Sequence, residues 1–332
     1  MNTARPVRGK RQRTPRKKRE KKTEWRKRQL LGWNRYWKAP EVISAPGGTF
    51  QKIIAQYVVG AIQNIQKKKI TVCDIGSAKG WMAAKISKLI PQAEVITVDA
   101  ADLVPIQYLP KLKPGYRHAR ALAEKLPFLS KSVDALVSNF TLEYTNREAF
   151  MQEMRRTLKD DGKAILVLHH PKSGFVRVAE AEAMDSKRTI ALYKQLFLYC
   201  KTSDPKHYDM GIEIVESMKA IDREPFYAGL AAAKRGEPEF RELVLNKTSY
   251  AIEEERQKYL QTNYLIRNKR KLFRDERHAR AYFESHGFEV ELVRTIKSPK
   301  QYLEGRGYRV ITAAEKGEPL GYFVVLKKKA KK

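Results

Sequence analysis

Cysteine is nearly missing from this 332-residue chain, which holds only Cys73 and Cys200. Two thiols at that separation supply no disulfide framework and no ligand pairs at zinc spacing, and they fit a reducing compartment. Long apolar runs are missing too: no stretch of 18 apolar residues occurs, so the sequence offers no membrane-spanning helix. Neither G-x-G-x-x-G nor G-x-x-x-x-G-K-[ST] is present, which removes the dinucleotide fingerprint and the phosphate loop. Acid is the last scarcity. Against 67 Lys and Arg stand 37 Asp and Glu, a net charge of +30, and such an excess points to a polyanionic partner.

The positive charge is unevenly spread. Residues 1–31 contain 14 Lys or Arg and two Glu, with Pro6 and Pro15 interrupting any helix and almost nothing to bury before Leu30 and Leu31. This composition reads as a disordered basic arm, able to neutralise phosphates without reading sequence. Overlapping its end, TEWRKRQLLGWNRYWK (23–38) sets three tryptophans and a tyrosine among cations, a segment suited to docking on the fold or on a partner. The expected location is cytoplasmic. An organelle matrix is the alternative suggested by the Arg-rich start, although its prolines and lack of apolar residues make a poor targeting helix.

The stretch ITVCDIGSAKGWMAAKI (70–86) is the most informative. Ile70, Val72 and Ile75 give the apolar run of a buried strand, Gly76 and Gly80 open the following turn to close approach, and Asp74 stands at the strand's end. Met82, Ile86, Leu89 and Ile90 then share one helical face. A second strand, AEVITVD (93–99), ends in Asp99, placed to accept hydrogen bonds from a ribose diol.

These elements, with LAEKLPF (122–128), SVDALVSNFTLEY (132–144) and LKDDGKAILVLHHP (158–171), resemble a class I S-adenosylmethionine-dependent methyltransferase. The resemblance runs from about residue 50 to 171 and resumes at YFESHGFEVELV (282–293) and LGYFVVLKKK (320–329). It implies an α/β fold: a seven-stranded, mostly parallel sheet with an antiparallel last strand, helices on both faces, and a helical insertion after the fifth strand. The implied cofactor is S-adenosyl-L-methionine. Its amino acid part would be wrapped by Asp74, Gly76, Ser77 and Gly80, its ribose held by Asp99, and its adenine laid along Ala123 and Glu124. Asn139 and Phe140 would face the transferring methyl. Two positions depart from the family pattern: Ala78 replaces the usual central glycine of the first loop, and Leu122 replaces an aspartate that often touches the adenine, leaving Arg120, Glu124 or backbone groups for that contact.

On this basis the chain divides into a basic arm (1–31), the first part of the core (32–171), a helical insertion or lid (172–274), and the rest of the core with a basic tail (275–332). Within the insertion, Ala191, Leu192, Leu196 and Leu198–Tyr199 mark a helix suited to covering the cofactor's open edge. Ile212, Val215 and Met218–Ile221 mark a second helix, and residues 249–273 a third that turns basic between Arg267 and Arg274. Candidate catalytic residues are Asn139, Glu143, His169 and His170, with Tyr144 beside them. The histidines are candidate bases; alternatively one bonds the backbone and the other faces solvent. Neither an N-P-P-Y run nor a cysteine follows the fourth strand, so base-amino and covalent pyrimidine methylation lack their usual signs. The expected acceptor is RNA or a ribonucleoprotein, reached through the basic arm and basic insertion. A small molecule or lipid precursor, and a catalytically silent RNA-binding or ribosome-binding role, are the alternatives. No metal site is expected.

Overall fold

A computed structural model describes residues 33–34, 49–101, 117–218, 224–267, 272–299, 302–306, 309–314 and 316–329. The basic arm, the cations at 269–271 and residues 330–332 lie outside them. Nine strands are described: β1 (Ile70–Ile75), β2 (Ala93–Asp99), β3 (Arg117–Arg120), β4 (Val133–Asn139), β5 (Leu158–His169), β6 (Phe288–Lys297), β7 (Tyr302–Arg306), β8 (Arg309–Ala314) and β9 (Pro319–Lys328). The helices are α1 (Thr49–Gln63), α2 (Trp81–Leu89), α3 (Arg147–Thr157), α4 (Gly174–Thr202), α5 (Pro205–Glu216), α6 (Glu224–Arg235), α7 (Pro238–Arg267) and α8 (Glu276–Ser285).

Seven strands form one sheet in the order β3-β2-β1-β4-β5-β9-β6. β1 pairs in parallel with both β2 and β4, β2 with β3, and β4 with β5, whereas β9 runs antiparallel to both β5 and β6. This is the mostly parallel sheet with a reversed last strand expected from the sequence. The strand order changes direction between β1 and β4, and in open α/β sheets the carboxyl ends at such a point form the ligand crevice. The hairpin β7–β8 forms a second, two-stranded sheet where the sequence reading places no strands.

Alternation along β5 shows how the sheet is covered on both faces. Ile165 and Val167 point to a core with Ile54, Val58 and Ile62 of α1 and with Met82 and Ile86 of α2. Ala164, Leu166 and Leu168 point the other way, onto Phe150 and Met154 of α3 and Phe283 of α8. The period of two makes this division unavoidable in an extended strand. Wholly buried rings such as Phe150 and Phe283 contribute roughly 1.5–3 kcal/mol each. One expected core residue is outside: Leu89 is 47% exposed, because α2 ends there and Ile90, leaving helical geometry at φ −127°, takes the buried position instead.

β5 starts at Leu158, with a register shift against β4 between Val133 and Ala135. At this amino end Asp134 is pinned by Lys67 Nζ at 2.7 Å, by Lys159 Nζ at 2.9 Å and by the Thr71 backbone N–H at 3.0 Å. The structural polar cluster therefore sits at the end of the sheet away from the crevice.

Helices α4–α7 occupy the residues read as the insertion, and the marked side chains pack among themselves. Leu192 packs with Val215, Met218 and Leu230, and Leu196 with Phe197, Cys200 and Val244. Their apolar faces satisfy one another, giving the insertion a core of its own. Its foot reaches the main domain: Val176 and Ala179 of α4 pack with Leu272 against Tyr144. The third helix starts earlier than expected, at Pro238, and its described part ends at Arg267.

Candidate cofactor and acceptor site

The turn after β1 is shaped by backbone rather than by side chains. Gly76 has φ +69°, and a Cβ built there falls 2.1 Å from Thr141 Oγ1, so the loops after β1 and β4 touch only because this residue is glycine. Gly80, at φ +77°, is the N-cap of α2 and leaves its first turn without a side-chain cap. Between them Ala78 takes φ +46°, a left-handed conformation costing a residue with a Cβ roughly 1–2 kcal/mol. It is held there by Asp99, whose Oδ2 accepts from the Ala78 N–H at 2.8 Å while Oδ1 accepts from the Ala101 N–H at 2.8 Å. Burial pushes the Asp99 carboxyl up, and these backbone donors oppose that shift.

Asp74 is buried at the end of β1. Desolvation raises its carboxyl to about 7, the N–H of Ala83 pulling down and the charge of Asp99 adding to the rise. Among the described residues, Asp74 Oδ2, Ser77 Oγ, Ser138 Oγ, Asn139 Oδ1 and Glu143 Oε2 are buried with no hydrogen-bond partner. Buried polar atoms are rarely left so, and five on the turns and strand ends of β1 and β4 mark a place built for a polar ligand.

The LAEKLPF segment (122–128) is fixed from below. Glu153 Oε2 of α3 accepts from the Leu126 N–H at 2.7 Å, and Arg156 donates to the carbonyls of Phe128 at 2.6 Å and Leu126 at 3.0 Å. Ala123 is buried in this segment. Glu124 reaches the other way, its Oε1 accepting from the Asn146 N–H at the start of α3 at 2.8 Å.

Past β4 the chain turns sharply. Phe140 has φ +53°, its N–H donates to the Val167 carbonyl at 2.7 Å, and its ring stacks on His169 with centroids 4.4 Å apart. Glu143 and Tyr144 follow in a 3-10 turn, Leu142–Tyr144. Glu143 is buried and its Oε1 accepts from the His169 backbone N–H at 2.5 Å; burial raises its carboxyl. Tyr144 Oη lies 3.4 Å from His169 Nε2.

The two histidines do not act as a pair. Burial lowers His169 to about 3, so the imidazole stays neutral across the physiological range, a packed ring between Phe140 and Tyr144. His170 lies on the opposite face of β5's end, its ring 4.8 Å from that of Tyr322 and its Nδ1 accepting from the Lys172 N–H at 3.1 Å. With Arg274, Arg277 and Thr295 it lines a separate surface hollow. Asn139, Glu143 and His169 are therefore gathered at one place, and His170 stands apart from them.

The sequence reading does not single out Ser138, Thr141 or the docked position of Trp33. Ser138 carries no signal beyond its place at a strand end, and Thr141 becomes meaningful only through its contact with Gly76. Trp33 belongs to the aromatic run 23–38, and its ring meets that of Tyr144 edge-on with centroids 5.2 Å apart. Among the described residues no group of three or more His, Cys, Asp or Glu is arranged to hold a metal, and no helix is long and apolar enough to cross a membrane.

Residues 73–166 match the family described as "Methyltransferase domain". With the sheet order above, that match marks residues 73–166 as a methyltransferase domain on a Rossmann-like sheet. Three solved structures are similar to it. An S-adenosylmethionine-dependent methyltransferase from Aquifex aeolicus is 17% identical over 38% of this chain and 75% of its own, with a TM-score of 0.30. A Bacillus halodurans protein designated a methyltransferase is 18% identical over 34% of this chain, at a TM-score of 0.30, and the match spans about half (51%) of its length. The protein designated a methyltransferase in a Haloferax volcanii complex with the activator Trm112 is 11% identical over 85% of this chain and 92% of its own, at a TM-score of 0.44. Among curated proteins, none matches the chain.

Proposed function

We propose that the protein transfers the methyl group of S-adenosyl-L-methionine to RNA or to a ribonucleoprotein. The observation carrying the acceptor class is the charge: 14 cations against two acids in residues 1–31, followed within two residues by Trp33, which contacts Tyr144 beside the crevice. An arm so composed neutralises backbone phosphates wherever it meets them.

The cofactor brings its methyl group already activated on a sulfonium, so the protein's part is alignment and exclusion of water. Asp74, Gly76, Ser77 and Gly80 would hold its amino acid portion, Asp99 the ribose, and Ala123 with Glu124 the adenine. The buried oxygens with no partner, Asp74 Oδ2 and Ser77 Oγ among them, fit a polar, partly cationic group. Asn139 and Glu143 would orient the acceptor through Oδ1 and Oε2. His169, held near 3, is a weak base at neutral pH, and its ring steadies Phe140 instead. Cys73 and Cys200 are both buried, Cys73 within β1 and Cys200 within α4, neither offering a nucleophile to the acceptor.

A small-molecule acceptor is the second reading, favoured by the foot of the helical insertion against Tyr144. Transfer of radiolabelled methyl into an unmethylated cell extract, divided by ribonuclease, protease and solvent extraction, tests both. Ribonuclease-sensitive label is expected; label in the solvent fraction supports the small molecule, and no incorporation moves the protein to a silent, RNA-binding role.

A further inference from the structure

A surface hollow of about 490 Å³ opens beside the carboxyl end of β5, at the same end of the sheet as the crevice. Its floor is Tyr322 of β9, which lies opposite Leu168 of β5 on one side and Thr295 of β6 on the other. Tyr322 is wholly buried, its Oη donating to the Phe273 carbonyl at 3.2 Å, and the half-buried ring of His170 rests 4.8 Å from its own. Asn139, closing β4, pairs with Val167 of β5, so two strand spacings, about 10 Å, separate it from Tyr322 along the sheet. Four charged side chains stand at the rim, where α8 begins. The two acids are committed to the protein: Asp275 accepts from the His278 N–H at 2.8 Å as the N-cap of α8, and Glu276 Oε1 accepts from both the N–H and the hydroxyl of Thr295 at 2.7 Å. The two cations are not. Arg274 and Arg277 are exposed, and among the described residues neither guanidinium has a hydrogen bond or an ion pair. His170 adds a third donor, because its Nδ1 accepts from the Lys172 N–H at 3.1 Å and the ring proton therefore sits on Nε2.

We propose that Arg274, Arg277 and His170 form an oxyanion subsite for a phosphate group of the acceptor, beside the crevice and outside the cofactor's own place. This rests on the RNA reading above and deepens it: the phosphate is a phosphodiester of the strand that presents the methylated nucleotide. The formal charges of the four rim side chains cancel, so a diffuse positive field does not carry the site. Recognition rests instead on two forked donors that match the oxygens of a phosphate, the geometry in which arginine differs from lysine. A phosphate held about 10 Å from Asn139 fixes which atom of the strand falls at the crevice. Arg274, Arg277 and His170 are therefore positioning residues, and none of them touches the reacting atoms.

The test uses the full chain, an Arg274→Ala/Arg277→Ala double variant and an Arg274→Lys/Arg277→Lys double variant. Arg294→Ala is the control, removing an exposed cation next to Thr295 on the other face of β6. Inorganic phosphate, titrated at constant ionic strength, is expected to move the His170 ring resonances of the wild type, assigned by NMR through His170→Gln, and to leave them unmoved in the alanine variant. A short unstructured RNA of mixed sequence is expected to bind the alanine variant about tenfold more weakly, with kcat/KM falling through KM. The lysine variant recovers only part of that loss, and Arg294→Ala stays close to wild type. S-adenosylhomocysteine affinity by calorimetry and the melting temperature hold at their wild-type values. Unmoved His170 resonances in the wild type, or an RNA loss that Arg294→Ala matches or that lysine restores in full, overturns the subsite. Phosphate that moves His170 in a wild-type protein that neither binds nor labels RNA keeps the hollow and overturns the RNA reading, label in the solvent fraction then assigning the anion to a small acceptor.

Discussion

The end of the crevice proposed for the cofactor and the end proposed for the acceptor are built from different materials. The first, at the ends of β1 and β2, is backbone: two glycines with positive φ, an alanine forced to copy them, and an aspartate whose two oxygens take main-chain N–H groups. The second, at the ends of β4 and β5, is side chain: stacked rings, a buried carboxylate, and a tryptophan from outside the sheet. A backbone cradle admits one ligand shape, whereas a wall of rings can be re-cut by a few substitutions.

Changes in the backbone half have the largest expected effect. Gly76→Ala drives a Cβ into Thr141 and strains φ +69°, and it is expected to cost about 2–3 kcal/mol of stability and at least about a hundredfold in cofactor affinity. Calorimetric titration with S-adenosylhomocysteine and a thermal melt read both; a variant that binds within a few-fold of wild type would show that the two loops do not need to touch.

Asp74 comes next. Its carboxyl, raised to about 7, favours a cationic ligand when ionised, so cofactor affinity should fall by up to about tenfold in all as pH drops through 7 and level off above it. Asp74→Asn should lose about tenfold at pH 8 and flatten the profile. Affinity that is equally pH-dependent in the variant would place the titrating group elsewhere.

The acceptor half should respond more gently. Glu143 has its carboxyl raised by burial, so the stability linked to it is complete below its unfolded value, near 4.5, and is lost as pH rises through the folded value. Glu143→Gln should therefore melt less pH-dependently than wild type between those two values. Its methyl transfer is expected to fall about tenfold if Oε2 orients the acceptor, and not at all if Glu143 only holds the His169 N–H. Smallest is Ala78→Gly. Relief of φ +46° is worth roughly 1–2 kcal/mol, and the added freedom of glycine in the unfolded chain cancels about half of it, so a rise of a degree or two in melting temperature is expected.

The same division decides what could be read from the sequence. Strand periodicity, the spacing of Gly76 and Gly80, and the acids closing β1 and β2 are local patterns, and the sheet and the cofactor turn follow from them. The acceptor half depends on contacts between distant residues: Trp33 on Tyr144, Thr141 on Gly76, and Val176 with Leu272 behind Tyr144. No local period records these. Consecutive histidines look like a pair in sequence, yet the alternation of β5 sends them to opposite faces. The residues marked in the insertion are amphipathic, as read, but periodicity shows that a face is buried without showing what covers it. Here neighbouring helices cover it.

The reversal of β9 gives the molecule a polarity. Because β9 runs against β5, Gly321 lies opposite His169 at the crevice while Lys327 lies opposite Lys163 at the far end, six residues away. At about 3.3 Å per residue that is roughly 20 Å. Lys327 and Lys328 close β9 at one pole, with Lys329 just beyond, and Trp33, the first described residue beyond the arm, sits at the other. A polyanion touching both ends would have to follow the flank of the domain for that distance, longer than a mononucleotide can bridge.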